Sequence, residues 1–137
     1  MKKTKIKKPK SLKKQCDDLW AVVVKAKAEY RSELSGKTEQ LHSHHIAGKD
    51  CYRLRFELDN GICVTAGEHF YCIHNQSRKA DYEQRIRMVK GLDVYEKMEE
   101  LRKIKSKTDL KLVKIYLEQK LKEFKEKWNE LDKRKTK

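Results

Sequence analysis

The sequence lacks a long apolar segment. Hydrophobic residues occupy only 37% of its 137 positions, and no apolar run approaches the roughly 20 residues that a membrane-spanning helix needs. The lysine-rich start is not followed by the apolar core of a secretory signal peptide. We therefore expect a cytoplasmic protein that has no membrane partner.

Cysteines are few, and their spacing matches neither a disulfide framework nor a structural zinc site. Four occur, and none belongs to a CxxC pair: Cys16, Cys51, Cys63 and Cys72. A chain without an export signal rarely carries disulfides, and the intervals between the last three do not match the ligand spacing of a structural zinc site. We expect free thiols whose small side chains are buried in the core.

Positive charge, in contrast, is abundant. Charged residues make up 41% of the chain, the net charge is +14, and the sequence begins MKKTKIKKPKSLKK. Such a charge attracts polyanions, although lysine-rich termini can also serve only to keep a protein soluble. The length fits one domain, with a modest core and a helical appendage.

The spacing of apolar residues predicts helices at both ends of the chain. Ser11 is a suitable N-cap for a helix whose apolar positions continue as far as Tyr30, with Gly36 just past its end. The last helix carries one apolar stripe, made of Leu110, Val113, Leu117, Leu121, Phe124, Trp128 and Leu131. We expect this stripe to pack on the first helix or the core, and a homodimer formed through it is the alternative.

Between these helices, residues 41–65 have the pattern of a β-hairpin. The segments LHSHHI and ICVTA predict two strands, and turn-forming residues near Gly48 and Asn60 lie between them. A helix is expected to begin near Ala66 or Gly67 and to run toward Ser77. Beyond Lys79 the chain is predicted to be helical in several pieces. The fold class is therefore α+β and mainly α.

Histidines are concentrated in this hairpin region. An adjacent pair, His44 and His45, is followed by Asn60 and then by His69. Adjacent strand residues point to opposite faces, so the two paired histidines can perform different tasks. Isolated histidines are usually structural, and only their arrangement points to chemistry.

This arrangement resembles the signature of the HNH endonucleases. In that family a ββα-metal finger carries the histidine pair on its first strand, the asparagine in the connecting turn and the last histidine on its helix. The resemblance implies that His44 and His69 bind one divalent metal ion. It also implies that His45 is the general base toward water and that Asn60 orients His45 through amide hydrogen bonds.

The resemblance implies Mg²⁺ as the cofactor, with Mn²⁺, Ni²⁺ or Zn²⁺ as alternatives. Two further histidines, His42 and His74, are possible additional members of the metal site. His42 lies two residues before His44, on the same strand face. His74 follows His69 by five residues, not by the four that align side chains on an α-helix, and is therefore a doubtful third ligand.

The similarity extends beyond these four residues. The stretches CDDLWAVVVKAKAEYRSELSGK, LHSHHIAGKD, LRFELDNGI and EHFYCIHN are similar to phage and prophage HNH nucleases. The stretch DYEQRIRMVKGLDVYEKMEELRK is similar to the C-terminal region of the NinG-type phage recombination nucleases. This similarity implies a role in phage or prophage DNA recombination or processing, in the cytoplasm of a bacterial host.

The chain departs from those relatives at their structural zinc knuckle. Where they carry CxxCG it reads SELSG at residues 32–36, and where they carry CxxCH it reads TAGEH at residues 65–69. Hydroxyl groups are poor Zn²⁺ ligands, so we expect no structural zinc. The core and the flanking helices are expected to hold the fold instead.

Three regions are expected: a basic tail at residues 1–10, an HNH nuclease core at 11–79 and a helical C-terminal extension at 80–137. The core would contain a small ββα-metal finger behind an N-terminal helix. DNA is the expected partner, bound through its backbone by Lys7, Lys8, Arg53 and Arg55. The alternative function is that of a non-catalytic, basic DNA-binding or architectural protein, in which the histidines have no chemical role.

Overall fold

The computed structural model describes residues 8–135, and the side chains of all of these except 132, 134 and 135. Five α-helices are α1 (Leu12–Lys27), α2 (Tyr52–Arg55), α3 (Lys79–Lys90), α4 (Val94–Arg102) and α5 (Leu110–Lys135). Strands β1 (Leu41–His45) and β2 (Gly61–Thr65) form the one sheet of the described residues. A 3₁₀ helix (Leu58–Asn60) and a π-helix (Glu68–Ile73) flank β2. The predicted class, mainly α with a small antiparallel sheet, is confirmed.

Helix α1 begins where the sequence predicts and ends earlier. The Ser11 hydroxyl accepts a hydrogen bond from the Lys14 amide at 3.2 Å and caps the first turn. The helix ends at Lys27 instead of continuing to Tyr30, because Glu29 and Tyr30 adopt left-handed φ values of 64° and 54°. None of the helices in the described range is long and apolar enough to cross a membrane.

The hairpin pairs β1 with β2 in an antiparallel register that sets His45 opposite Gly61 and His44 opposite Ile62. Side chains alternate between the faces of the sheet. Cys63 packs into a core cluster with residues of α1 and α5, whereas Ile62 and Val64 pack with Ile73 of the π-helix and Ile86 of α3. The sheet therefore lies between two helical layers.

The apolar stripe of α5 packs on α1, as expected. Leu117 is fully buried in the cluster that contains Cys16, Trp20 and Val23. Near the other end of the contact, the Trp128 indole N–H donates to the carbonyl of Ala26 at 3.1 Å. The four cysteines are free thiols, as predicted, and three of them are buried: Cys16, Cys63 and Cys72.

Hydrogen bonds link the two segments, residues 32–36 and 65–69, that differ from the zinc-knuckle motifs of HNH nucleases. The Ser32 hydroxyl donates to Glu68 Oε1 at 2.6 Å, and the same oxygen accepts from the Thr65 amide at 2.8 Å. The Glu68 amide donates to Thr65 Oγ1 at 3.1 Å, which makes a reciprocal capping box at the start of the helix. The Ser35 amide donates to Ser32 Oγ at 3.2 Å. These hydrogen bonds hold the two segments together, in addition to the packing of the core and the flanking helices.

Gly61 allows α1 to approach the sheet. A Cβ atom at this position would lie 2.5 Å from Val24 Cγ2 and 2.8 Å from Trp20 Cζ2, both from α1. Any larger residue would force the helix and the hairpin apart.

We therefore expect Gly61→Ala to lower the free energy of unfolding by about 1 to 3 kcal/mol or more, the usual cost of overpacking a core. Urea unfolding followed by circular dichroism would measure it. Gly67→Ala is the matched control, because its Cβ would meet nothing nearer than Thr65 Oγ1 at 3.9 Å. Equal stabilities of the two variants would show that the close approach at Gly61 does not constrain the fold.

Candidate metal centre

Three histidines from two elements converge on one point. His44 of β1, His69 of the π-helix and His74, just after that helix, bring one ring nitrogen each to within 4.8 Å of one another. His69 Nε2 and His74 Nε2 are 3.0 Å apart, within hydrogen-bond distance of each other. The group could hold a metal ion. The structure thus brings together the two metal ligands predicted from sequence.

The π-helix explains why His74 joins them. The His74 amide donates to the His69 carbonyl at 3.2 Å, a hydrogen bond that spans five residues. This wider winding aligns residues five apart, so the α-helical spacing used to doubt His74 does not apply here. The spacing argument against His74 therefore does not hold, and its role as a metal ligand stays a prediction.

His42 supports the group from the same strand face. Its Nδ1 lies 3.2 Å from Nδ1 of His69, on the side of that ring opposite the contact with His74. One of these two nitrogens must carry the proton and donate. An outer partner of this kind fixes the orientation and tautomer of a histidine ligand, so His42 could orient His69 if that residue binds a metal.

The environment keeps the imidazoles of His44 and His69 neutral. Burial first, and then the neighbouring His69 and His74, lower the pKa of His44 from 6.5 to about 3. Burial first, and then the neighbouring His74 and His42, lower the pKa of His69 to about 4. Neutral imidazoles have a free lone pair at pH 7, which is the form that binds a metal.

His45 lies on the opposite face of β1, against α1. Its ring stacks on Trp20, with centroids 3.8 Å apart and planes inclined by 3°. Its Nε2 lies 2.9 Å from the carbonyl oxygen of Arg55, and a carbonyl can only accept, so Nε2 carries the proton and the neutral ring leaves Nδ1 unprotonated. Burial lowers the pKa of His45. The ring is held as a neutral base.

Asn60 secures the loop between the two strands. Its side chain is fully buried. Oδ1 accepts from the Ala47 amide at 2.8 Å, and Nδ2 donates to the carbonyls of Gly48 at 2.8 Å and Leu54 at 2.9 Å. The amide thereby fixes the backbone directly beyond β1 and the helix that contains Arg55.

The predicted DNA-binding residues differ in exposure and in whether their side chains already have partners within the chain. Lys7 lies outside the described residues, and Lys8 is exposed. Arg55 forms a two-point ion pair with Asp17, at 2.6 and 2.9 Å, and the Arg53 guanidinium donates to Ser106. DNA binding by the two arginines stays a prediction, and both guanidinium groups already have partners within the chain.

One cavity of about 590 Å³ unites the four imidazoles of His44, His45, His69 and His74. Trp20, Asp17 and Lys49 also line it, and sequence analysis assigned none of these three to the site. In the sequence, Trp20 is one of the apolar residues of α1. No signal in its spacing indicates that its ring would meet a histidine.

Comparisons with known proteins add no relative: no family model, curated protein or solved structure matches the chain. The function must therefore be inferred from the chemistry of this cavity.

We expect His74→Ala to weaken binding of Zn²⁺ or Ni²⁺ by at least about tenfold, since loss of a ligand should cost no less than loss of an outer partner. Isothermal titration calorimetry of the chelator-treated protein would measure it. His45→Ala is the matched control, because this neighbouring histidine faces α1 and should leave the affinity unchanged. Equal affinities of wild type and His74→Ala would exclude His74 as a ligand.

The metal-free protein should lose stability as the pH falls from about 6.5 toward 4. In this window the unfolded chain takes up protons at His44 and His69, whereas the folded chain, with pKa values of about 3 and 4, does not. Urea unfolding in EDTA at a series of pH values would show the decline. It should be shallower in His44→Asn, and identical slopes for both proteins would contradict the lowered pKa of His44.

Proposed function

We propose that the protein is a metal-dependent DNA endonuclease of the HNH type, which hydrolyses phosphodiester bonds with His45 as general base. One observation carries this proposal: a single cavity joins a three-imidazole group to a fourth neutral imidazole on the opposite face of the same strand. The order of strand, loop, strand and helix supports a ββα-metal finger around these residues.

The roles of the chain's own residues follow from their contacts. His45 presents Nδ1 as the acceptor for a proton of the attacking water, while the Arg55 carbonyl and the Trp20 ring hold the imidazole in place. Because burial lowers its pKa, His45 is in the basic form at neutral pH. Asp17 holds Arg55 and thereby acts through it as a positioning residue.

His44, His69 and His74 would hold the metal ion, with His42 orienting His69. The bound ion would supply Lewis acidity toward the phosphoryl oxygens and the leaving 3′ oxygen. Three imidazole nitrogens without a carboxylate favour Zn²⁺ or Ni²⁺ over the Mg²⁺ expected from sequence, because Mg²⁺ prefers oxygen ligands.

A DNA substrate is supported by the net charge of +14 and by the cationic side chains around the cavity, among them Lys14, Lys49 and Arg55. We propose weak sequence preference, since phosphate contacts carry no sequence information. By the family resemblance, the biological role would be recombination or processing of phage or prophage DNA.

Incubation with supercoiled plasmid tests the proposal. Wild-type protein should convert the plasmid to nicked or linear DNA in Mn²⁺, Ni²⁺, Zn²⁺ or Mg²⁺ and not in EDTA. His45→Ala should slow cleavage by about 10²- to 10⁴-fold, the usual contribution of a general base.

His45→Ala must retain metal affinity, so that its defect can be assigned to the base and not to the metal centre. Cleavage at the wild-type rate by His45→Ala would contradict the role of His45. Tight DNA binding without cleavage in any of these metals would favour the alternative, a non-catalytic DNA-binding protein.

A further inference from the structure

The cavity contains a cationic side chain that the chain itself does not neutralise. Lys14 pairs with Asp18 at 2.9 Å, and Arg55 pairs with Asp17 at 2.6 Å. Lys49 also lines the cavity and is exposed. Within residues 8–135, no hydrogen bond or ion pair engages its ammonium group. Lys49 is therefore free to meet an anionic ligand in this cavity.

Residues on either side of this lysine are held by long-range contacts, through the backbone of Ala47 and Gly48 and the side chain of Asp50. Asn60 Oδ1 accepts from the Ala47 amide, and its Nδ2 donates to the Gly48 carbonyl, both at 2.8 Å. From α4, Arg102 Nη2 donates to the Ala47 carbonyl at 2.8 Å and to Asp50 Oδ1 at 3.3 Å. The residues before and after the lysine are thus both anchored, although its own side chain is not.

We propose that Lys49 is a phosphate-binding residue, which donates to a non-bridging oxygen of the DNA phosphodiester that enters the cavity beside His45. Arg102 is its positioning residue, because it fixes the loop from the C-terminal extension. The identity of the ligand as a DNA phosphodiester rests on the proposed endonuclease function. An ammonium group on a flexible stem binds phosphate as a point charge with three donors, and the anchored loop reduces the entropy lost when this contact forms.

DNA affinity tests Lys49 independently of cleavage. Fluorescence anisotropy of a labelled duplex would be recorded in EDTA at several salt concentrations, with His45→Ala as the parent protein. Adding Lys49→Met should weaken binding by about tenfold or more and reduce the slope of log K against log salt by about one. Lys49→Arg should preserve the slope, because it preserves the charge.

Lys127→Met is the matched control. Lys127 is exposed on α5 and does not line the cavity. Its substitution by methionine therefore removes one positive charge at a distance from the proposed phosphate site. Equal losses for Lys49→Met and Lys127→Met would overturn the proposed phosphate site. Metal-dependent cleavage by wild-type protein would stand regardless of that result. A third outcome is that DNA binding depends on Lys49 but the wild-type protein does not cleave DNA. This outcome would contradict the proposed function and support Lys49 as a phosphate-binding residue.

A double-mutant cycle tests Arg102. Arg102→Met should weaken DNA binding when Lys49 is present and should have little further effect in Lys49→Met, because the two residues act through one contact. Thermal unfolding would confirm that each variant is folded at the assay temperature. A loss that adds fully to that of Lys49→Met would overturn the positioning role of Arg102.

Discussion

The buried amide of Asn60 is the interaction on which the candidate site depends. Its three hydrogen bonds satisfy backbone groups of the loop between the strands, and its own carbonyl accepts from the Ile46 amide at 2.8 Å. A buried polar group left without a partner costs about 1 to 3 kcal/mol, so an apolar residue here would release the loop. That loop contains both the Arg55 carbonyl that holds His45 and the backbone of Lys49.

The parts of the site that depend on local pattern could be predicted from the sequence. Because side chains alternate along a strand, the adjacent His44 and His45 had to face opposite sides of the sheet. The turn-forming residues around Asn60 and the apolar positions of β2 were sufficient to predict the hairpin. The stripe of α5 likewise predicted a buried helix, because its period is that of an α-helix.

Contacts between distant or irregularly wound segments could not be predicted. His74 has the wrong spacing for an α-helix, and no apolar period distinguishes a π-helix in so short a segment. The stack of Trp20 on His45 requires α1 to approach the hairpin at Gly61, which is a tertiary contact. Arg102 comes from a helix far along the chain, and its charge alone resembles that of any solvated surface arginine.

Because of the hydrogen bonds of Glu68, the stability of the fold does not depend on a metal ion being bound at the three histidines. Glu68 joins Ser32 to Thr65 through hydrogen bonds, and it immediately precedes His69. The helix that presents His69 therefore starts at a carboxylate whose pKa these hydrogen bonds lower. Metal bound at the three histidines would add stability only by binding the folded state. A chelator should thus remove the metal chemistry while Glu68 still holds the start of this helix.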